Sequence, residues 1–219
     1  MQALVDTRSS SPSARRRWVF LAALWTLLGG GCAQARVHAP SQAPRATPSK
    51  TVVLVHGMFV DPSCWDRWIP YLESKGYRVL APAWPGHEGD PAQARAAHPD
   101  PALAAVGLED VVDRYRQEIA QLDEKPILVG HSMGGLVVQR LLAEDLAAAA
   151  VAIDAAPPKG VLSLSPKFLK SNGRILRGSL DEPLDMDAER FAYMFVNEQP
   201  PAQQQALFER YARPESRRV

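Results

Sequence analysis

The sequence predicts an α/β fold in which a mostly parallel β-sheet lies between two layers of helices. Short apolar runs alternate with longer amphipathic segments, and the first run, Thr51–Val55, has no polar residue at alternate positions. Strands buried on both faces have this composition, and they occur in parallel sheets that carry helices on both sides. The alternation of strand and helix also favours parallel neighbours joined by right-handed crossovers.

Four apolar runs predict the strands of this sheet. The first, Thr51–Val55, ends at His56-Gly57, and the others occupy residues 77–81, 126–129 and 147–153. These runs are short and rich in valine, leucine, isoleucine or alanine, which suits a buried strand better than a helix.

Three segments between the strands have the apolar spacing of helices. The first begins at the capping residue Asp61, which a proline follows, and it ends at Gly76. Residues 107–122 are amphipathic, and another apolar helix follows Gly135. The segment 82–101 is rich in proline, glycine, histidine and aspartate, which predicts a long loop.

Composition divides the chain into four parts. They are an export signal (residues 1–35), a proline-rich linker (36–50), the α/β core (51–158) and a partial helical cap (159–219). The last part predicts short helices at 191–196 and 203–211 and no further strand. We therefore expect an incomplete core, truncated on its C-terminal side. Its fourth strand should lie at an open edge of the sheet, and residues 167–219 should be sensitive to proteolysis.

The first part of the chain has the features of an export signal. Three arginines, Arg15–Arg17, precede an apolar stretch at 18–28 that is too short to cross a bilayer of about 30 Å. Ala33-Gln34-Ala35 fits a small-x-small cleavage site. Alternatively, residues 27–32 resemble a lipoprotein box that lipidates Cys32, and the arginines resemble a twin-arginine signal. Both alternatives predict a periplasmic or extracellular protein, which the second anchors to a membrane through Cys32. A buried N-terminal helix is the structural alternative.

Charge and cysteine content restrict the classes of function. The formal net charge is +1, and removal of the predicted signal makes the balance slightly acidic, so we expect no nucleic-acid partner. Without Cys32, Cys64 has no partner for an intrachain disulfide. Its neighbours Trp65 and Trp68 favour a buried packing role over a reactive thiol.

A Gly-x-Ser-x-Gly sequence joins the third strand to the helix after it. So sharp a turn brings backbones close together, which requires glycine at Gly130 and Gly134, and it exposes Ser132 at its apex in a strained conformation. His131 lies beside the serine on this elbow. Free N–H groups at the start of the helix favour negative charge, so the N–H of Met133 is a candidate donor to a tetrahedral oxyanion.

A second oxyanion donor is expected from the loop after the first strand. This loop begins with His56-Gly57, and the donor is the N–H of Met58 or, as the less favoured choice, that of Phe59.

Four segments together resemble the α/β-hydrolase fold family, and within it esterase- and lipase-like members with a helical cap. They are Val52–Gly57, Tyr77–Pro82, Pro85–His87 and Gly130–Gly135. The resemblance implies a three-layer α/β/α sandwich with an incomplete hydrolase core. It also implies hydrolysis of a small-molecule ester or amide through an acyl-enzyme at Ser132, with no metal and no organic cofactor.

The histidine that this family uses is missing from its expected place. Members carry the nucleophile, the acid and the histidine in that order, but no histidine follows Ser132. Asp154 could serve as acid in a variant arrangement, although a cap or turn role is the simpler interpretation. The upstream histidines have other expected roles: packing for His131, support of the oxyanion loop for His56, and a solvated loop for His87 and His98.

Because a serine without a base is a poor nucleophile near pH 7, we expect this chain to be impaired in hydrolysis. The leading hypothesis is a truncated, exported serine hydrolase that acts on ester-like substrates. Two alternatives remain open. One is a non-catalytic pseudoenzyme that keeps the binding pocket, and the other is a surface lipoprotein that binds a partner.

Overall fold

A sheet of four parallel strands, in the order β2-β1-β3-β4, forms the centre of the part of the chain that the structure describes. The computed structural model describes residues 48–161, 165–175 and 177–219, and the predicted export signal lies outside these residues. The strands are β1 (Thr51–Val55), β2 (Arg78–Leu80), β3 (Ile127–His131) and β4 (Ala149–Ile153). All four predicted strands are present, and their parallel pairing confirms the predicted fold class.

Helices pack around this sheet. In the described part of the chain they are α1 (Trp68–Ser74), α2 (Pro91–Ala97), α3 (Pro101–Ala105), α4 (Leu108–Ala120), α5 (Met133–Ala143), α6 (Pro166–Asn172), α7 (Ala188–Phe195) and α8 (Pro201–Tyr211). A 3-10 turn at Pro62–Trp65 precedes α1, so the first predicted helix is split in two. The prediction of a long loop was wrong for α2, which begins at Pro91 with Asp90 as its N-cap. The carboxylate of Asp90 accepts two N–H groups of the first turn, and Pro91 follows it.

Both faces of the inner strand β1 are covered by other parts of the chain, which confirms the three-layer arrangement. Val53 and Val55 pack in the larger hydrophobic cluster with α4 and α5. Val52 and Leu54 point to the opposite face, where they pack with Trp65. Burial of each such side chain is worth about 1.5–3 kcal/mol.

The fourth strand lies at the edge of the sheet, as expected. Within the described residues β4 pairs with β3 alone, and the side chain of Val151 is 50% exposed. Residues 165–219 contribute helices α6, α7 and α8 and two isolated bridges, but no further strand among the residues described.

The polar sequence after α8 is buried in the core. Arg213, Glu215 and Ser216 are each at most 2% exposed. The buried charges of Arg213 and Glu215 have the buried partners Asp61 and His87, and the sensitivity of residues 167–219 to proteases stays a prediction.

Candidate active site

Ser132 lies at the apex of the turn between β3 and α5. Its φ and ψ are 54° and −119°, a conformation that costs a residue other than glycine about 1–3 kcal/mol. Backbone hydrogen bonds hold it there: the N–H donates to the C=O of Ile153 and the C=O accepts from the N–H of Ala156, both at 2.9 Å. The motif predicts this strained conformation, and the structure has it.

The turn is packed directly against the end of β1. A Cβ atom at Gly134 would lie 2.3 Å from the C=O oxygens of both Val55 and His56. A Cβ atom at Gly130 would lie 2.1 Å from the C=O oxygen of Gly134. All these atoms belong to the backbone. Glycine at both positions of the motif therefore allows the close approach of backbones that the sequence predicts.

The loop after β1 lies against the serine. A Cβ atom at Gly57 would be 3.0 Å from the Cβ atom of Ser132. The N–H of Phe59 donates to Oε2 of Glu215 at 3.2 Å, which argues against Phe59 as the second oxyanion donor. No hydrogen bond within the described residues engages the N–H of Met58, so Met58 stays the candidate. Met133 is the first residue of α5, so its N–H has no hydrogen-bond acceptor within that helix.

His56 supports this loop. Its side chain is fully buried and stacks on Trp84 with ring centroids 4.4 Å apart. Nδ1 donates to the C=O of Gly57 at 2.9 Å, and Nε2 accepts the N–H of Trp84 at 3.3 Å, which assigns the neutral tautomer. Burial, and then the nearby His87, lower the pKa of His56 well below its ordinary value. With both nitrogens engaged, His56 is a structural residue and not a base for Ser132.

His87 is buried rather than solvated, so the surface role predicted for it was wrong. It is 1% exposed, and its Nε2 lies 3.1 Å from Oε2 of the fully buried Glu215. Burial lowers the pKa of His87, but the charge and hydrogen bond of Glu215 outweigh burial, so the pKa is raised overall. His87 therefore keeps its proton to a higher pH than a free histidine does, and Nε2 donates to Glu215 when it is protonated.

Replacing His87 with glutamine should destabilise the protein more at about pH 6 than at about pH 9, on either side of an unfolded-state pKa near 6.5. The folded pKa is raised, so stabilisation from this pair is complete below the unfolded pKa and is lost as pH rises through the folded pKa. The lowered pKa of His56 gives the opposite dependence. Its part due to burial is present in both proteins and cancels in their difference, whereas its part due to His87 is lost in the variant and offsets some of the expected effect. Urea denaturation of both proteins at the two pH values measures this. In a Glu215→Gln background the pH dependence of the difference should vanish, and its persistence there would contradict the assignment.

His131 and Asp154 lie near the elbow but form no triad with it. Nδ1 of His131 is 3.2 Å from the position of a Cβ atom at Gly57. Burial lowers the pKa of His131, and Asp154 opposes that shift. Among the hydrogen bonds of the described residues, none joins His131 to Ser132. Asp154 follows β4 with a φ of 42°, in keeping with a turn role.

Reasoning from the sequence missed two buried charged residues that bond to the loops beside the site: Arg213 and Glu215. The Nη1 atom of Arg213 donates to Oδ2 of Asp61 at 3.0 Å. Its guanidinium also donates to three backbone C=O groups, those of His87, Glu88 and Gly89, at 2.8–2.9 Å. The one available signal was a group of charged residues after an amphipathic helix, and such a group is usually solvated.

An apolar cavity of about 270 Å³ adjoins the elbow at His131. Its lining residues come from the loop and the 3-10 turn after β1, the start of α1, the ends of β3 and β4, and α7: Val60, Cys64, Trp65, Trp68, His131, Ile153 and Phe195. Burial is the main cause that raises the pKa of the Cys64 thiol to about 12, and the negative charges of Asp61 and Asp66 raise it further. The thiol therefore stays protonated, which agrees with the packing role predicted for it.

Comparison with known proteins gives the relatives of this chain. The sequence model described as "Alpha/beta hydrolase family" matches residues 52–218. A pyrethroid hydrolase from Sphingobium wenxiniae is 34% identical over 91 residues, which are 41% of this chain and 29% of that protein. A pimeloyl-[acyl-carrier protein] methyl ester esterase from Aromatoleum aromaticum is 36% identical over 86 residues, which are 39% of this chain and 28% of that protein. The chain thus spans less than a third of the length of these curated relatives.

A solved structure extends the likeness over more of the chain. An extracellular alpha/beta-hydrolase from a Paenibacillus species superposes with a TM-score of 0.58 and 28% identity, covering 77% of this chain and 67% of that one.

Proposed function

Because the chain belongs to the α/β-hydrolase family, we propose that it is a serine hydrolase that cleaves a small carboxylic ester through an acyl-enzyme on Ser132. The observation that carries this proposal is the strained, positive-φ serine between β3 and α5. The start of α5 and the loop at Gly57 adjoin this serine. A carbonyl attacked by its hydroxyl would develop negative charge next to backbone N–H groups.

In the proposed reaction the Ser132 hydroxyl adds to the ester carbonyl, the alcohol leaves, and water then releases the acid from the acyl-enzyme. The N–H groups of Met133 and Met58 would donate to the oxyanion formed in each half. Both are backbone groups of a packed turn and a packed loop, so they need little reorganisation when charge develops.

The relatives and the cavity support an ester with an apolar group as the substrate class. Two relatives are a pyrethroid hydrolase and a methyl ester esterase. The cavity of about 270 Å³ has aromatic walls from Trp65, Trp68 and Phe195, which suit a small apolar group of a substrate. The proposed mechanism uses neither a metal nor an organic cofactor.

The described residues give Ser132 no well-placed base. His56 has both ring nitrogens engaged, and His87 is bonded to Glu215. We therefore propose that this 219-residue chain is impaired in turnover while it retains the elbow and the cavity. These same observations favour a second candidate function, a non-catalytic protein that binds esters or their acids.

Export is a proposal from the sequence alone. It rests on residues 1–35, which lie outside the described residues, and so does anchorage to a membrane through Cys32. In the described part of the chain, none of the helices combines the length and the hydropathy of a membrane span.

A fluorophosphonate probe should label the chain slowly, and only at Ser132. The exposed Ser74 on α1 provides a control, since Ser74→Ala should label like the unchanged chain whereas Ser132→Ala should abolish labelling. Mass spectrometry of the labelled peptide and release of p-nitrophenol from p-nitrophenyl acetate are the measurements.

Two outcomes would count against parts of this proposal. Undiminished labelling of Ser132→Ala would refute Ser132 as the nucleophile. Fast ester turnover would show that a base is present after all, and loss of that turnover in His131→Gln or His98→Gln would identify it.

A further inference from the structure

The segment after α8 holds the loop beside Ser132 by its backbone. Phe59 has a φ of 65°, in the left-handed region, which a bulky residue adopts only when its surroundings hold it there. Its N–H donates to Oε2 of Glu215 at 3.2 Å, and its C=O accepts the N–H of Arg213 at 2.9 Å. Both polar backbone groups of Phe59 are thus bonded to one short segment.

Glu215 is itself held from several sides. Oε2 also accepts from Nε2 of His87 at 3.1 Å, and Oε1 accepts the N–H of Ser216 at 2.8 Å. The backbone of Glu215 exchanges two hydrogen bonds with Leu184, at 2.7 and 2.8 Å. A fully buried carboxylate with three donors has one defined orientation, so the acceptor offered to Phe59 is fixed in space.

The segment after α8 makes a second contact with the loop, at its last residue. Arg213 pairs with Asp61 at 3.0 Å, and their side chains are only 3% and 5% exposed. The carboxylate of Asp61 also caps the 3-10 turn by accepting the N–H of Ser63. The loop from His56 to Asp61 is therefore fixed between the end of β1 and the segment after α8.

We propose that Glu215 is a positioning residue for the oxyanion hole: by fixing the backbone of Phe59, it leaves the N–H of Met58 free to donate beside Ser132. The inference rests on the proposed function, because an oxyanion hole matters only if Ser132 forms a tetrahedral adduct. Glu215 touches no reacting atom and acts through Phe59.

A test must separate this role from a contribution to stability alone. The parent protein carries Ser132→Cys, with Cys32→Ala and Cys64→Ala, so that a single thiol remains at the elbow. Acylation of that thiol by p-nitrophenyl acetate passes through a tetrahedral oxyanion and expels p-nitrophenolate. Alkylation by iodoacetamide displaces iodide and forms no oxyanion. The ratio of the two rates therefore reports on the oxyanion donors and cancels changes in thiolate fraction or access.

Glu215→Gln and Glu215→Ala are then compared in this parent. We expect acylation to slow by about tenfold in Glu215→Gln, which keeps one acceptor oxygen, and by up to about a hundredfold in Glu215→Ala. Both effects stay at or below the roughly 10²–10³-fold loss for outright removal of one oxyanion donor, because the N–H of Met58 is displaced and not removed. Alkylation should stay nearly constant. Circular dichroism establishes whether each variant is folded. If Glu215→Ala does not fold, the rate ratio of the isosteric Glu215→Gln alone decides the test.

An unchanged rate ratio in the folded variants would overturn the positioning role, even if their melting temperatures fall. A separate outcome concerns the parent itself. If its ratio equals that of N-acetylcysteine, the elbow has no working oxyanion hole, and the proposed function fails together with the inference.

Discussion

Gly134→Ala should leave little or no folded protein. The added Cβ atom would lie 2.3 Å from two backbone oxygens at the end of β1, and these oxygens can move only if α5 separates from the centre of the sheet. We expect a loss of at least about 3 kcal/mol, the upper range for an overpacked site. A domain of this size has a total margin of about 5–15 kcal/mol. Soluble yield and a urea denaturation curve measure the effect.

Gly107→Ala is the matched control for this substitution. Gly107 precedes α4, and the nearest atom to its added Cβ, Oδ2 of Asp110, would be 3.6 Å away at ordinary contact distance. The cost there should be within about 1 kcal/mol, that of a poorer cap. Equal stability losses for the two glycines would mean that Gly134 is not packed as described.

Arg213→Ala should cost about 3–5 kcal/mol, the usual effect of breaking a buried ion pair. The substitution leaves the carboxylate of Asp61 buried without its cation. It also removes the donor from the C=O groups of His87, Glu88 and Gly89. Chemical denaturation of the two proteins gives the difference in unfolding free energy.

The chain offers a control with the same chemistry at the surface. Arg210 pairs with Asp66, and their side chains are 59% and 38% exposed. Because water already solvates both charges, Arg210→Ala should not shift the denaturation midpoint measurably. If Arg213→Ala costs no more than Arg210→Ala, the segment after α8 is not buried as the structure has it.

The centre of the fold and the elbow could be predicted from the sequence because local patterns encode them. Five successive residues of Thr51–Val55 are buried, so one short run shows that both faces of β1 are covered. The Gly-x-Ser-x-Gly turn is similarly local, since all the residues that define its shape lie between Gly130 and Gly134. A pattern of this kind is visible before any tertiary contact is known.

The support of the oxyanion loop could not be predicted, because it depends on pairs that are distant in the sequence. Glu215 bonds to Phe59 and His87, and Arg213 bonds to Asp61, across 128 or more positions in every case. Taken alone, each of these charged residues has the sequence context of a solvated surface. Their burial follows only from mutual neutralisation, which no local periodicity encodes.

The attachment of Phe59 to Glu215 also has a consequence for biosynthesis. These residues are 156 positions apart, so at about 5–20 residues per second a ribosome needs roughly 8–30 s to make the segment between them. Throughout that interval β1 and its loop exist without the carboxylate that fixes Phe59. The elbow between β3 and α5 can form earlier, since its hydrogen bonds reach only as far as Ile153 and Ala156. A nascent chain should therefore carry a formed serine turn before it has an ordered oxyanion loop.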